Sequence, residues 1–200
     1  MNDTITTIKK TGATVTPSEL ANFLADKILQ YTNAKESVIL DPACGEGALL
    51  VAISQKINGS FNYKLSGYET NCEFLKAAKN NLSKIVSEKQ YQIELQDFID
   101  FAAPCNYDLF SNSQNQEFAD IIIANPPYVR TQILGAEKSR QIAKTYNLKG
   151  KIDLYFPFLI GMTNVLKKGG IMGVITSNRY LTTKSGSEIR KFLLENYDIL

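Results

Sequence analysis

The sequence predicts an α/β fold, with a mostly parallel, twisted sheet that is covered by helices on both faces. Short β-branched runs alternate along the chain with segments whose apolar residues recur at helical spacing. The strand-like runs end in turns that carry glycine, proline or an acidic residue. Strands that alternate with helices pair in parallel, so their carboxyl ends meet at one edge of the sheet. Ligands bind at that edge in open parallel sheets, and we expect the functional residues there.

Length and composition fit one globular domain. The chain has 200 residues, of which 44% are hydrophobic and 21% are charged, which is enough for a sizeable core. Met1–Lys10 lacks the apolar centre of a signal peptide, and the longest apolar run, Leu154–Met162, is too short to span a bilayer. The three cysteines are an odd number without close spacing, which indicates reduced thiols and a cytoplasmic protein.

The absence of histidine excludes several classes of enzyme. Ser-His and Cys-His nucleophiles need an imidazole base, and zinc hydrolases commonly bind their metal through histidine. We therefore predict no metal site, and we expect a reaction that proceeds without the usual base at neutral pH.

The first elements are a helix and then a strand, a glycine turn and a second helix. Thr16, Pro17 and Glu19 form a predicted capping box that opens a helix reaching about Tyr31. The hydroxyl-rich segment before it, Thr11–Val15, either closes over a ligand or simply leads into the helix. The remaining elements are predicted as strands over Val38–Asp41, Lys64–Glu69, Tyr91–Leu95, Ala119–Ala124 and Gly170–Thr176, and helices over Leu49–Ile57, Asn71–Val86 and Asp153–Leu166, the last of which Lys167–Gly170 closes. A second predicted capping box, Ser185–Glu188, opens a helix that ends at Asn196, and Asp198–Leu200 is predicted to begin a further strand.

The glycine turn after the first strand is a candidate ligand site. Gly45 and Gly47 let the backbone approach a ligand closely, and the helix that follows offers free N–H groups to a carboxylate or phosphate. Leu50 stands where the dinucleotide fingerprint has its third glycine, which argues against a nicotinamide dehydrogenase.

Three predicted strands end in acidic residues that would line the same edge, namely Asp41, Glu69 and Asp97. Glu69 lies 22 residues after Gly47, near the spacing at which an acid binds ribose hydroxyls. Asp97 and the adjacent Phe98 could bind the amino group of an adenine ring and cover its face. Each acid alone could equally be a helix cap or a solvated charge.

The stretch Asn125–Tyr128, Asn-Pro-Pro-Tyr, directly follows the predicted buried strand. Two prolines neither continue a strand nor start a helix, so an amide and an aromatic ring are fixed at the strand's carboxyl end. The Asn125 side chain and a neighbouring backbone carbonyl can accept hydrogen bonds from a planar amino group while Tyr128 stacks on its ring. An ordinary proline turn with a tyrosine packed behind it would have the same sequence.

Positive charge is concentrated in the second half of the chain. Residues 125–191 carry 12 Lys and Arg, including all four Arg, against three acids, a net charge of +9. This excess suggests a surface that faces a polyanion, although a solvated face would have the same composition. Within it, Val129–Lys151 is predicted to be a loop with a short helix that is mobile without a partner.

The order of these motifs resembles the S-adenosylmethionine-dependent adenine-N6 DNA methyltransferases of restriction-modification and phage-defence systems. A Thr-Pro element (Thr14, Thr16, Pro17) precedes Asp41–Gly47, which precedes Asn125–Tyr128, as in the subgroup whose target-recognition domain follows the catalytic domain. The resemblance implies a Rossmann-like methyltransferase fold with its last strands truncated. It also implies that residues 1–200 form the cofactor-binding catalytic domain and that a target-recognition domain lies beyond them.

The resemblance implies roles residue by residue. Thr14, Thr16 and Pro17 would lie over the methionine part of S-adenosylmethionine, and its amino acid end would be held by Asp41, Ala43, Cys44, Gly45 and Gly47. Glu69 would bind the ribose hydroxyls, and Asp97 with Phe98 would bind the adenine. Asn125, next to the cofactor, and Pro126 would bind the target amino group, with Tyr128 stacking on the extruded base.

The partner implied by the resemblance is double-stranded DNA, with a further domain or subunit for target recognition or cleavage. Families with the same Asn-Pro-Pro-Tyr motif methylate ribosomal RNA or a glutamine of a release factor, and the motif alone does not choose among these substrates. A non-catalytic cofactor-binding subunit is another alternative, which the intact Asn125, Pro126 and Tyr128 disfavour.

Overall fold

The computed structural model describes residues 16–32, 36–57, 59–104, 117–128, 134–148, 153–183 and 186–200. Its helices are α1 (Ser18–Gln30), α2 (Ala48–Ile57), α3 (Cys72–Ser83), α4 (Phe98–Phe101), α5 (Ala136–Thr145), α6 (Tyr155–Val165), α7 (Arg179–Thr182) and α8 (Ser187–Asn196). Its strands are β1 (Glu36–Asp41), β2 (Asn62–Glu69), β3 (Tyr91–Leu95), β4 (Ala119–Ala124) and β5 (Leu166–Val174).

The five strands form a parallel sheet in the order β3-β2-β1-β4-β5. The chain runs from β1 outward to β3 and then returns to the other side of β1 for β4. The direction of winding therefore reverses between β1 and β4, and such a switch point leaves a crevice at the carboxyl ends of the strands. The predicted α/β class with a parallel sheet is confirmed.

Helices cover both faces of this sheet. α1, α2 and α3 pack on one face, where Ile39 and Ile121 are buried, while α4 and α6 pack on the other, where Leu40 and Ile122 are buried. Neighbouring residues of a strand point to opposite faces, so burial on both sides explains the continuous apolar runs in the sequence. None of the helices in the described ranges has the length and hydropathy needed to cross a bilayer.

The start of α1 corrects the predicted capping box. The helix begins at Ser18 with Pro17 at the cap position, and no side chain caps it. The Thr16 hydroxyl oxygen instead accepts a hydrogen bond at 3.0 Å from the side-chain amide of Asn125. A contact between residues 109 positions apart therefore replaces the local cap.

The start of β5 also differs from the prediction. The sequence predicts that Lys167–Gly170 closes the preceding helix, but the strand already begins at Leu166, directly after α6. The pairing of β5 with β4 is irregular near its start, and the ammonium of Lys167 lies 2.9 Å from a carboxylate oxygen of Asp120 on β4. Because of this pairing with β4, Lys167–Gly170 form part of the strand and not the end of the helix.

The carboxyl-terminal helix α8 ends at Asn196, as predicted. Gly186 stands at its cap position without a side-chain cap, and Ser185, the predicted cap, lies outside the described residues. Asp198–Leu200, predicted to begin a strand, have no regular structure.

The described part of the basic segment Val129–Lys151 contains the predicted short helix, α5, which packs against the rest of the fold. In α5, Ile142 is only 2% exposed, and just after the helix the hydroxyl of Tyr146 donates to the backbone oxygen of Ile99 at 2.5 Å. These contacts pack α5 and the residue after it against α4. Residues 129–133 and 149–152 lie outside the described ranges.

Candidate functional site

A cavity of about 260 Å³ lies at the carboxyl ends of β1 to β4, in the crevice expected at the switch point. Each of these strands, or the turn after it, contributes at least one polar side chain, among them Asp41, Glu69, Asp97 and Asn125. The predicted site residues that line this cavity are Thr16, Asp41, Ala43, Cys44, Gly45, Glu69, Asp97, Phe98 and Asn125.

Glu69 holds the glycine turn in place. One of its carboxylate oxygens accepts the N–H of Gly45 at 2.9 Å, and the other accepts the N–H groups of Thr70 and Asn71 at 2.8 and 2.7 Å. The Thr70 hydroxyl also lies 3.5 Å from this second oxygen. The first oxygen accepts only the N–H of Gly45 among the described residues, and because each carboxylate oxygen has two lone pairs, it keeps one for a ligand hydroxyl.

The two glycines of the turn have different roles. Gly45 has φ +52°, and a Cβ built there would meet no atom within 4 Å, so its backbone faces open space in the cavity. Gly47 has φ +83°, and a Cβ there would lie 3.4 Å from the Cα and Cβ atoms of Ala78 on α3. Both positions favour glycine because φ is positive. Gly45 lines the cavity, whereas Gly47 lets the turn pack against α3.

Asp41 is a buried acid in the wall of the cavity, with 1% of its surface exposed. The N–H of Ala43 donates to its Oδ1 at 3.1 Å. Burial raises the pKa of Asp41 to about 7, the bond from Ala43 opposes this shift, and the nearby Glu69 carboxylate adds to it. A cationic group in the cavity would stabilise the ionised form.

Cys44 also lies in the cavity wall, where it is buried. Burial raises the pKa of its thiol, and the charges of Asp41 and Glu69 raise it further. A raised pKa favours the protonated thiol, which is a poor nucleophile.

Asp97 and Phe98 lie side by side at the start of α4. Oδ1 of Asp97 accepts the N–H of Ile99 at 2.9 Å, and the ammonium of Lys138 lies 3.3 Å from its Oδ2. Phe98 is only 1% exposed because its ring stacks on Phe158 with 5.8 Å between the ring centroids. The residues predicted to bind an adenine ring therefore form part of the cavity wall.

A hydrogen-bond network holds Asn125 from two sides. Its amide nitrogen donates to Thr16, and the Tyr128 hydroxyl lies 2.8 Å from its amide oxygen and 2.6 Å from the backbone oxygen of Ile175. Burial raises the pKa of Tyr128, so its hydroxyl stays protonated, and one proton serves both acceptors. Because an amide oxygen has two lone pairs, Asn125 keeps an acceptor site for an incoming amino group.

Some predicted site residues do not line the cavity. Tyr128 does not line the cavity, but its hydroxyl contacts Asn125, which does. Pro127 contributes to the lining, whereas Pro126 is buried. Thr14 lies outside the described residues. The described site residues that are absent from the lining are Pro17, Gly47, Pro126 and Tyr128.

The cavity also contains residues that were not predicted. The position of Asn71 in the cavity could have been inferred from its own segment, because it comes two residues after Glu69. Its side chain caps α3 by accepting the N–H of Glu73 at 2.8 Å. The positions of Leu134 and Phe158 could not, because nothing in their own segments distinguishes a ligand contact from core packing. The further residues of the lining are Pro42, Glu46, Ala48, Leu49, Tyr68, Thr70, Phe74, Gln96, Ile99, Pro127 and Leu154.

Residues 6–200 match the family described as Eco57I restriction-modification methylase. The chain belongs to this family. The resemblance inferred from the order of the sequence motifs is thereby confirmed.

Two relatives illustrate how far the similarity extends. The Type II methyltransferase M.BanIII of Aneurinibacillus aneurinilyticus is 41% identical over 202 residues, which cover 96% of this chain and 35% of that protein. The Type II methyltransferase M.BstVI of Geobacillus stearothermophilus is 25% identical over 199 residues, which cover 90% of this chain and 35% of that protein. The chain thus spans about a third of the length of the curated relatives it matches.

A solved structure shares the fold. The methyltransferase subunit of a type I restriction-modification system from Streptococcus thermophilus superposes with a TM-score of 0.66 at 20% identity, over 90% of this chain and 38% of that one. The predicted Rossmann-like methyltransferase fold is therefore confirmed.

Proposed function

We propose that this chain is the catalytic part of an adenine-N6 DNA methyltransferase of a restriction-modification system, with S-adenosylmethionine as the methyl donor. The observation that carries the proposal is the convergence of Asn125 with Asp41, Gly45 and Glu69 on one cavity. Membership of the Eco57I family supports duplex DNA as the substrate. A further domain or subunit would supply target recognition or cleavage.

The residues of the cavity fit this cofactor. The buried Asp41 suits a positively charged amino acid end, and the open space at Gly45 allows a ligand to lie against the backbone. Glu69 keeps an acceptor site for a ribose hydroxyl, and Asp97 with Phe98 would bind the adenine. When bound, the cofactor supplies a methyl group that is already activated on a sulfonium.

Asn125 would position the target amino group. The exocyclic nitrogen of adenine is a poor nucleophile because its lone pair is delocalised into the ring. Two acceptors, the amide oxygen of Asn125 and the backbone carbonyl of Pro126, would hold its hydrogens out of the ring plane and localise that pair. Positioning and electrostatics of this kind need no histidine base.

Tyr128 would stack on the extruded base, since the residue is 36% exposed and lies beside Asn125. Flipping a base out of a duplex costs about a few kcal/mol, and stacking on an aromatic ring returns about 1–3 kcal/mol. Further contacts with DNA are needed to offset the rest of the free-energy cost of base flipping.

The basic segment can supply part of those contacts. Arg140 on α5 is exposed, as the proposal requires for phosphate binding. Lys138 and Lys167 instead form ion pairs within the chain, and the Arg190 guanidinium donates to the backbone oxygens of Tyr180 and Thr183. The positive charge counted in the sequence is therefore only partly available to a polyanion.

A methyl-transfer assay tests the proposal. Radiolabelled S-adenosylmethionine is offered with duplex DNA, ribosomal RNA or a release factor, and the product is digested to identify the modified base. We expect N6-methyladenine in DNA. N4-methylcytosine would refute the adenine assignment, label in RNA or protein would favour a methyltransferase of the same fold with another substrate, and cofactor binding without transfer to any of the three would favour a non-catalytic subunit.

A further inference from the structure

Lys138 of α5 contacts two acidic residues, Asp97, which lines the cavity, and Asp100 of α4. Its ammonium lies 2.7 and 2.6 Å from the two carboxylate oxygens of Asp100 and 3.3 Å from Oδ2 of Asp97. We propose that Lys138 is a positioning residue, which orients the Asp97 carboxylate toward the amino group of the cofactor's adenine and so sets selectivity for that base. The inference rests on the proposed function, because it assumes that the cofactor carries an adenine next to Asp97.

The geometry fixes Asp97 at both of its oxygens. The N–H of Ile99 donates to Oδ1 at 2.9 Å, while Lys138 approaches Oδ2 from α5. Contacts on both sides define the plane of the carboxylate, and each oxygen retains a free lone pair. A carboxylate held in this way can accept a hydrogen bond from an amino group but only repels the oxo group of a base that lacks one.

The helix that carries Lys138 is itself anchored. Ile142 is buried, Tyr146 donates to the backbone oxygen of Ile99, and Leu134, just before α5, lines the cavity. Lys138 is thus held against α4, in contrast to Lys144 of the same helix, which is exposed.

Lys138 carries a positive charge at neutral pH. Partial burial lowers the pKa of its ammonium, but the hydrogen bond to Asp100 and the charges of Asp97 and Asp100 raise it above the usual lysine value. Because the side chains of Lys138 and Asp97 are 28% and 32% exposed, water screens this pair less than it screens a fully exposed one.

The test compares two ligands in two matched variants of the full chain. The ligands are S-adenosylhomocysteine and its inosine counterpart, in which an oxo group replaces the adenine amino group. The variants are Lys138→Met, which keeps the length of the side chain without its charge, and Lys144→Met as the control. Dissociation constants are measured by calorimetry, and folding is checked by thermal unfolding.

We expect the unmodified chain to prefer the adenosyl ligand. Lys138→Met should lower this preference about tenfold, the scale of one hydrogen bond to a charged group, whereas Lys144→Met should leave it unchanged. Lys138→Arg should retain the preference. If Lys138→Met does not fold, Lys138→Gln takes its place with the same expected loss.

Equal weakening of both ligands by Lys138→Met would overturn the inference, since a merely structural role affects both alike. An unchanged preference in that folded variant, with the preference present in the unmodified chain, would also overturn it and leave the proposed function intact. If the unmodified chain binds neither ligand, the proposed function itself fails.

Discussion

The two halves of the cavity are held together in different ways. In the half formed by β1, β2 and β3, most bonds to the carboxylates of Asp41, Glu69 and Asp97 come from backbone N–H groups one or two positions further along the chain. The longer-range contacts of this half are the bond from the N–H of Gly45 to Glu69 and the approach of Lys138 to Asp97. In the half at the carboxyl end of β4, the Asn125 amide is bonded to Thr16, 109 residues away, and the Tyr128 hydroxyl to the backbone oxygen of Ile175, 47 residues away.

This difference shows how the two halves serve the proposed reaction. The three acids are held mainly by backbone bonds at the ends of their own strands. The geometry of this half, which would bind the cofactor, is therefore largely set once the sheet has formed. The half that would bind the target depends on contacts among three separate segments: Thr16 before α1, Asn125 and Tyr128 after β4, and the backbone oxygen of Ile175 after β5. We therefore expect substitutions on the two sides to separate cofactor binding from methyl transfer.

Asn125→Ala has the largest expected effect and tests the target side directly. It removes the acceptor for the target amino group, and we expect it to abolish methyl transfer, with a loss of at least about 10²–10³-fold in rate. Cofactor affinity should remain almost unchanged. Turnover and calorimetric binding are measured beside Asn80→Ala, an exposed asparagine of α3. Near-normal turnover of Asn125→Ala would refute its assigned role.

Glu69→Ala tests the cofactor side. It removes the acceptor for ribose hydroxyls and the bond that holds the N–H of Gly45, so cofactor binding should weaken by about 1–3 kcal/mol, the scale for hydrogen bonds to a charged group. Glu73→Ala, at an exposed position of α3, is the control. Calorimetry that shows equal affinity for both variants would remove Glu69 from the site.

The pKa of Asp41, raised to about 7, predicts a pH dependence of cofactor affinity. A cationic amino acid end favours the carboxylate form, so binding below this pKa must release a proton. Affinity should therefore fall as the pH is lowered from about 8 to 6, approaching tenfold per pH unit below the pKa. Asp41→Asn should bind more weakly at high pH and lose the dependence. A flat profile in the unmodified chain would show that Asp41 does not face the cationic end.

Tyr128→Phe has the smallest expected effect. It keeps the stacking ring but removes the hydroxyl that contacts Asn125 and Ile175, so kcat/KM should fall by the equivalent of about 0.5–1.5 kcal/mol, the scale of a neutral hydrogen bond. Cofactor affinity should not change, and Tyr31→Phe, at an exposed tyrosine after α1, should have no effect. A loss as large as that of Asn125→Ala would instead mean that the hydroxyl takes part in the chemistry.

Much of the fold and of the cofactor side was predictable from short stretches of sequence. β3 has the predicted bounds, and the predicted edge acids Asp41, Glu69 and Asp97 line one cavity. The cap of α1 was predicted wrongly because the Thr16 hydroxyl binds a distant amide instead of its own helix. The start of β5 was missed because pairing with β4 overrides the helix-ending pattern at Lys167–Gly170.

By itself, the sequence determined the alternation of strands and helices and the acids at the strand ends. Those features depend on hydrophobic period and chain breakers, which act over a few residues. Only the tertiary structure decided that Thr16 and Tyr128 meet at Asn125, that Gly47 packs on α3 instead of lining the cavity, and that Lys138 contacts Asp97. These contacts join distant parts of the chain, and their geometry is set by how the helices and strands pack.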